Sequence, residues 1–260
     1  MLPPIALPQF ALSSTLCLSL SGTYVALSPP WQVKPVTKSA PSTGDSLRWL
    51  RLTEKHSTKF ILAPLGLLGL HTSRLVLLYH ESRPEMILPY IFRGLNNDLI
   101  TWSKATSIPL ALIICVGVPL RLASYASLGR NFTFALTEPD QLKTTGIYRY
   151  LQHPGYMGIA ILAVANMLLY GRTDGVLSAW IPWSWHNVVS RLMWGLVPAG
   201  LSAIMFAIWT RVKEEEKMLQ ATFWPRMGTM ASGNGTVHSL GSVISHLLYN
   251  FPYVESRKST

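Results

Sequence analysis

The chain has 260 residues, with 22 Lys or Arg, 12 Asp or Glu and a formal net charge of +10. Only 13% of residues are charged, about half of the roughly 25% usual in soluble proteins, whereas 49% are hydrophobic and the mean hydropathy is +0.27. This composition argues against a soluble enzyme, a disordered chain and a nucleic-acid partner, which would require a basic stripe on a polar domain. Cys17 and Cys115 lie in apolar runs, so neither a disulfide framework nor a metal site is expected. An integral membrane protein is predicted.

Five apolar segments approach the length of about 20 residues that a helix needs to cross a bilayer. The predicted fold is therefore an all-α integral membrane protein with about five transmembrane helices. The fourth segment is short, but it reaches span length if its helix starts near His153. The predicted spans are residues 5–27, 60–79, 105–128, 156–170 and 192–210.

The first apolar segment has two interpretations, a retained span or a signal peptide. A signal peptide would have a basic start, but the first charged residue is Lys34, so the span is favoured. Residues 28–46, rich in Pro, Ser and Thr, are predicted to form a linker. Residues 86–92 and 176–185 are too short to span and suit the membrane interface instead.

Positive charge is distributed unevenly between the predicted loops. Residues 28–59, 129–153 and 211–260 together hold fifteen Lys and Arg, whereas the loops of the other side hold five. Since Lys and Arg favour the cytosolic side, these three segments are predicted to be cytosolic. Arg121 lies within a span near its cytosolic end and is interpreted as snorkelling to the surface. Arg74 also lies within a span, and its role stays open.

Residues 136–158, which lead into the fourth span, form a first segment with chemical potential. Residues 144–146 suit a turn, and Pro154 suits the first turn of a helix, where its missing N–H costs nothing. The start of that helix leaves backbone N–H groups and a partial positive charge at the cytosolic surface. The carboxylate of an amino-acid cofactor could be held there. Taken alone, His153 is better explained as an interfacial histidine.

Residues 211–223, which continue out of the last span, form a second such segment. Arg211 and Glu215 are four residues apart, so they share one face of a helix, and Leu219 continues that face. On spacing alone, a solvated cluster of charges anchoring the end of the span is the simpler explanation.

In this order, with one or two spans between them, the two segments resemble the isoprenylcysteine carboxyl methyltransferase family. That family's patterns are similar to G-x-Y-x-x-x-R-H-P-x-Y-x-G and R-x-x-x-E-E-x-x-L-x-x-x-F-G. Residues 129–134 also resemble the stretch that precedes the first pattern, and the resemblance covers about residues 105–225. The matching residues are Gly146, Tyr148, His153, Pro154, Tyr156 and Gly158, then Arg211, Glu215, Glu216, Leu219 and Phe223.

The resemblance implies methyl transfer from S-adenosylmethionine to the C-terminal carboxylate of a prenylated cysteine in the endoplasmic reticulum membrane. Arg211 would hold the substrate carboxylate and act as the catalytic residue. Glu215 would face the positive groups of the cofactor, while Glu216 would only stabilise the helix. The cofactor site would face the cytosol, between the loop before the fourth span and the helix after the last one. Its further contacts would be Thr137, Asp140, Gln141, Leu142, Lys143, Tyr148, His153, Pro154, Gly155 and Tyr156.

The predicted organisation has four parts. Residues 1–59 are an N-terminal span and basic linker, and residues 60–128 are transmembrane helices. Residues 129–225 form a methyltransferase core with two spans, and residues 226–260 form a divergent tail rich in Gly and Ser.

The sequence departs from the family pattern in two places. Gln152 stands where the family usually has Arg, although Gln can still donate hydrogen bonds. Trp224 replaces the usual Gly, and the Tyr-rich segment that should follow it is absent. Two alternatives therefore stay open: a methyltransferase for another lipid-like acceptor, such as a phospholipid amine or a small terpenoid acid, and a degenerate protein that binds prenyl chains without turnover.

Overall fold

The computed structural model describes residues 7–28, 57–79, 94–129 and 145–231, with side chains except at 57 and 222–231. Within these ranges the chain forms helices and turns but no strand. The all-α prediction is therefore confirmed. The α-helices are α1 (Leu7–Leu27), α2 (Ser57–Leu78), α3 (Lys104–Ala111), α4 (Val118–Leu128), α5 (Pro154–Tyr170) and α6 (His186–Ala231).

Four helical segments are long and apolar enough to cross a membrane, namely Leu7–Leu27, Thr58–Leu78, Asn97–Leu128 and Trp183–Ala221. They coincide with four of the five predicted spans. The remaining one corresponds to α5, an apolar helix of 17 residues. At 1.5 Å per residue, α5 covers about 25 Å of a hydrocarbon layer about 30 Å thick. The chain is thus an integral membrane protein, and α5 starts directly after His153, as predicted.

The third span is not a uniform α-helix. Helix α3 begins at Ser103, whose hydroxyl accepts a hydrogen bond from the N–H of Ala105. A π-helical turn, Leu112–Gly117, then joins α3 to α4, and the N–H of Val118 donates to the carbonyl of Ile113, five residues back. Pro119 has no N–H for the regular helical ladder. The π turn absorbs this interruption without ending the helix.

Helices α4 and α5 pack closely through small residues. A methyl group on Gly117 would lie 2.9 Å from the side chain of Leu162, and one on Gly158 would lie 3.1 Å from the backbone nitrogen of Arg121. Small residues let membrane helices approach in this way. The hydrophobic core of the bundle lies around this contact. Its buried side chains include Leu12, Leu16, Leu75, Val76, Leu95, Leu110, Ile113, Leu162, Ala165 and Leu169.

The membrane part of α6 has few protein neighbours. None of its most apolar window is buried, and large side chains such as Leu192, Trp194 and Phe206 are exposed. Burial returns only at the end of the apolar stretch, at Arg211 and Met218. In a membrane, lipid would cover most of the apolar part of α6.

The interpretation of Arg121 as a snorkelling side chain was wrong. Only 5% of Arg121 is exposed. Its Nε points into the bundle and donates a hydrogen bond of 3.3 Å to the carbonyl of Ala26, at the end of α1. Arg74, by contrast, is exposed.

The two interfacial segments have different outcomes. Residues 176–185 contain the short 3₁₀ turns Val176–Ala179 and Trp183–Trp185, with Trp180 exposed between them. Residues 86–92 lie outside the described residues, as does the predicted linker from residue 29 onward. The four-part division of the chain stays a prediction.

Candidate functional site

The two motif segments meet at one end of the bundle. Nε2 of His153, the residue before α5, lies 3.2 Å from Oε1 of Glu216 on α6. A carboxylate can only accept hydrogen bonds, so the His153 ring donates. Nε2 of Gln152 also donates to Oε1 of Glu216, at 3.5 Å. These contacts join segments that lie 63 residues apart in the sequence.

Tyr156, in the first turn of α5, connects the two charged residues that the i, i+4 spacing had placed on one face. Its side chain lies close to both Glu215 and Arg211. Arg211 is only 9% exposed, and its Nη1 lies 4.0 Å from Oε2 of Glu214. A guanidinium and the carboxylate of Glu215 therefore lie close to one phenol where the apolar stretch of α6 ends, and the carboxylate of Glu214 lies beside the guanidinium.

Tyr148 lies in the 3₁₀ turn Gly146–Arg149, which packs against α4. Gly146 has a φ of +68°, a left-handed conformation that favours glycine, and a methyl group there would lie 3.0 Å from Oγ of Ser127. Burial, together with the negative charge of Glu215, raises the pKa of Tyr148. Its phenol therefore stays protonated and neutral beside the carboxylate, as a potential hydrogen-bond donor.

The first turn of α5, which carries Tyr156, leaves backbone N–H groups at the same end of the bundle. No side chain described in the structure caps this terminus, and the first helical hydrogen bond runs from the N–H of Met157 to the carbonyl of His153, at 3.1 Å. Gly155 and Tyr156, at the preceding positions, supply N–H donors and a partial positive charge. We call Tyr148, His153, Tyr156, Arg211, Glu215 and Glu216, together with this turn, the candidate site.

Seven of the predicted site residues fall within the described ranges. Tyr148, His153, Tyr156, Arg211 and Glu215 are brought together, and Pro154 and Gly155 form the turn beside them. Their roles stay predictions. The remaining five predicted residues, Thr137, Asp140, Gln141, Leu142 and Lys143, lie outside the described residues.

Glu216 makes more contacts than the sequence predicted. The structure gives this residue direct contacts with Gln152 and His153. Glu216 is rotated by about 100° from Glu215 around the helix, so the i, i+4 argument that paired Arg211 with Glu215 did not include it. Gln152 gave no firm signal for this contact, because its side chain is exposed and water can satisfy its donors.

Within the part of the chain that the structure describes, no three His, Cys, Asp or Glu side chains are grouped so that they could hold a metal ion. The chemistry of the candidate site therefore has to be considered in terms of its charged groups, its phenols and its backbone N–H groups.

Comparisons with known proteins agree on a reaction class. The model of the Phospholipid methyltransferase family matches residues 106–193, which include Tyr148 to Tyr156 but end before Arg211. Protein-S-isoprenylcysteine O-methyltransferase of Dictyostelium discoideum is 25% identical over 103 residues, covering 38% of this chain and about two fifths (41%) of that relative. No solved structure matches the chain. Both similarities are to methyltransferases.

Proposed function

We propose that the chain transfers a methyl group from S-adenosylmethionine to the C-terminal carboxylate of a prenylated cysteine. The observation that carries this proposal is Arg211, a buried guanidinium at the point where the apolar stretch of α6 ends. A planar guanidinium binds a carboxylate through two parallel hydrogen bonds. Its place at the edge of an apolar helix suits a substrate with a carboxylate at one end and a lipid chain at the other.

The charges of the candidate site fit an amino-acid cofactor. The amino-acid part of S-adenosylmethionine carries an ammonium and a carboxylate. Glu215 would hold the ammonium, and the N–H groups of Gly155 and Tyr156 would hold the carboxylate. The phenol of Tyr148 and the ring of His153 would add hydrogen bonds, together with the predicted contacts at Thr137 and 140–143. When bound, this cofactor supplies an electrophilic methyl group on a positively charged sulfur.

The residues of the chain then have only to bind, orient and exclude water. The substrate carboxylate is ionised at neutral pH, so no general base is required. Arg211 would fix its direction, which is worth more than proton transfer for a nucleophile of this kind. Because a negative carboxylate and a positive sulfonium both lose charge on reaction, a poorly hydrated site favours the reaction.

The same proposal places the protein in the endoplasmic reticulum, with the candidate site facing the cytosol. The excess of Lys and Arg in the segments that carry both motifs supports this orientation. The prenyl chain would lie among the spans, where exposed side chains of α6 such as Trp194 and Phe206 offer an apolar surface beside membrane lipid. The acceptor would thus be the prenylated C-terminal cysteine of a protein that undergoes CaaX processing, or a related lipid-like carboxylate.

A second candidate is methylation of a phospholipid amine, which the match to the Phospholipid methyltransferase family favours. An amine is protonated at neutral pH and must lose a proton before it can accept a methyl group. The buried charge of Arg211 repels such a headgroup, whereas it attracts a carboxylate. A prenyl-binding protein without turnover is the remaining alternative.

The test is methyl transfer from labelled S-adenosylmethionine in membranes that contain the chain, with N-acetyl-S-farnesylcysteine and phosphatidylethanolamine compared as acceptors. We expect the farnesylated carboxylate to be methylated. Methylation of the amine lipid alone would establish the second candidate. Cofactor binding without transfer to either acceptor would contradict both reactions, and no cofactor binding would leave the prenyl-binding protein.

The Arg211→Ala variant then tests the residue that carries the proposal. We expect a fall in kcat/KM of about 100-fold, or about 2.7 kcal/mol, the range for truncating one member of a buried charge pair. Lys213→Ala is the matched control, because it removes the same positive charge from the same helix, two residues away. The Nζ of Lys213 lies over the ring of Trp209, 3.9 Å from its centroid. Equal rates for the two variants would eliminate the role of Arg211.

A further inference from the structure

A second buried cation lies beneath the candidate site. Arg121, on α4, is held at its Nε by the carbonyl of Ala26, and its guanidinium carbon lies 4.6 Å from the ring centroid of Tyr125. The hydroxyl of Tyr125 donates to the same carbonyl at 2.6 Å. A guanidinium inside a membrane span is costly, so its presence there calls for a function.

The guanidinium of Arg121 lies directly against the first turn of α5. A methyl group on Gly155 would lie 2.8 Å from its Nη1 and 3.1 Å from Oγ of Ser124, so the guanidinium would have to shift to make room for it. Arg121 also lies near the phenols of Tyr148 and Tyr156. The same guanidinium therefore contacts the end of α1 and the turn that carries Tyr156.

The chemistry of these contacts makes them well suited to fixing a position. The last carbonyls of a helix have no acceptor role within it and form the negative end of its dipole, so Ala26 attracts a cation. A guanidinium is planar and rigid, and it can satisfy this carbonyl while its other edge supports Gly155. The ammonium of a lysine, a single point on a flexible stem, cannot do both.

We propose that Arg121 is a positioning residue, which fixes the turn from His153 to Tyr156 against α1 and α4 and thereby sets the affinity for the methyl donor. This inference rests on the proposed function of the candidate site. It predicts that a change at Arg121 alters the binding of the donor without removing any group that touches it.

A residue that only stabilised the bundle would behave differently. Its loss would lower the midpoint of thermal unfolding, Tm, and the fraction of folded protein, but the folded molecules would bind the donor as before. Leu162→Ala is the control for this case, since it opens a cavity in the core two turns further along α5. It should lower Tm and leave the Kd for S-adenosylmethionine unchanged.

The experiment measures Tm and the Kd for S-adenosylmethionine on the full chain in lipid nanodiscs. We expect Arg121→Lys to raise Kd about tenfold, because small displacements of binding groups have effects of this size or larger. Gly155→Ala should raise Kd similarly, since its methyl group displaces the guanidinium. In the double variant the slimmer lysine gives way, so Kd should again be about tenfold above the parent. An increase of about 100-fold would mean that the two positions act independently and would overturn the proposal.

Amide hydrogen exchange at Met157, whose N–H forms the first helical hydrogen bond of α5, provides a readout that needs no cofactor. We expect faster exchange in Arg121→Lys than in Leu162→Ala at the same distance below Tm. If the parent binds no S-adenosylmethionine, the proposed function fails, while faster exchange still supports the positioning of the turn by Arg121. If the parent binds the donor and Arg121→Lys matches it in both Kd and exchange, the proposal is overturned.

Discussion

Helices α5 and α6 both supply residues to the candidate site, but they are anchored in different ways. In α5, the side chains of Leu162 and Ala165 are fully buried, and a methyl group on Gly155 or Gly158 would crowd Arg121. In α6, none of the most apolar window is buried. At the candidate site α6 is tied to α5 through the hydrogen bond of His153 with Glu216 and the close approach of Tyr156 to Arg211 and Glu215.

This difference separates stability from binding. The α5 side of the site is positioned by close packing of its first turn, so changes within that turn should affect both the fold and the site. The α6 side is positioned by hydrogen bonds and charges at its end, so changes there should affect the site and leave the fold almost intact. Each of the following predictions tests one part of this comparison.

The largest effect is expected for the same substitution made in the two helices. Leu162→Ala should lower the free energy of unfolding by about 2 kcal/mol, because it leaves a cavity in a closely packed core. Lipid is as apolar as leucine, so the lost term is packing rather than transfer from water. Leu192, which is 57% exposed on α6, should change stability by no more than about 0.5 kcal/mol when replaced by alanine.

Unfolding of both variants in nanodiscs or mild detergent measures this difference. An equal loss at Leu192 would contradict the comparison, because it would mean that the apolar part of α6 packs against another surface in the membrane.

The next effect concerns the polar contact at the junction. Glu216→Ala should raise the KM for S-adenosylmethionine about tenfold, or about 1.4 kcal/mol, because His153 loses the acceptor that orients its ring. Stability should change by less than about 1 kcal/mol, since the carboxylate is partly exposed, as in other surface ion pairs. Steady-state kinetics together with thermal unfolding give both values.

Glu216→Gln is the conservative control, since an amide oxygen still accepts a hydrogen bond from His153 but carries no charge. We expect it to retain most of the parent's affinity. If the glutamine variant is as weak as the alanine variant, the charge of Glu216 matters rather than its hydrogen bond.

The spans could be predicted because each is a long apolar run, and the start of α5 because Pro154 fits only the first turn of a helix. Helical spacing alone placed Arg211 and Glu215 on one face of a helix, whereas in the structure Arg211 forms an ion pair with Glu214. Such arguments depend on neighbours along the chain, and they succeed wherever one helix determines the outcome.

Contacts between helices could not be predicted in the same way. Arg121 bonds to Ala26, 95 residues away, and its burial depends on how α1, α4 and α5 are rotated about their axes. Membrane helices are apolar on most of their surface, so hydrophobic periodicity does not define the face that packs. Glu216 was underestimated for the same reason. Pro119 indicates that the third span is irregular. The sequence does not decide whether the helix kinks there or forms a π turn.

The smallest expected effect is on the free energy of unfolding at alkaline pH. It depends on Tyr148, whose pKa responds both to burial and to the charge of Glu215 on α6. Burial against the α4 side, and secondarily the charge of Glu215 on α6, raises the pKa of Tyr148 from its usual value of 10.0. Above pH 10 the unfolded chain therefore releases this proton before the folded chain does, and the free energy of unfolding falls as the pH rises. Tyr148→Phe should reduce that fall, and Glu215→Gln should reduce it less, because burial is the larger cause. Thermal unfolding between about pH 8 and pH 11 measures the slopes, with Tyr150→Phe as the control, since that ring is 80% exposed. A larger effect for Glu215→Gln than for Tyr148→Phe would mean that α6, rather than the packed side of the bundle, determines the environment of the phenol.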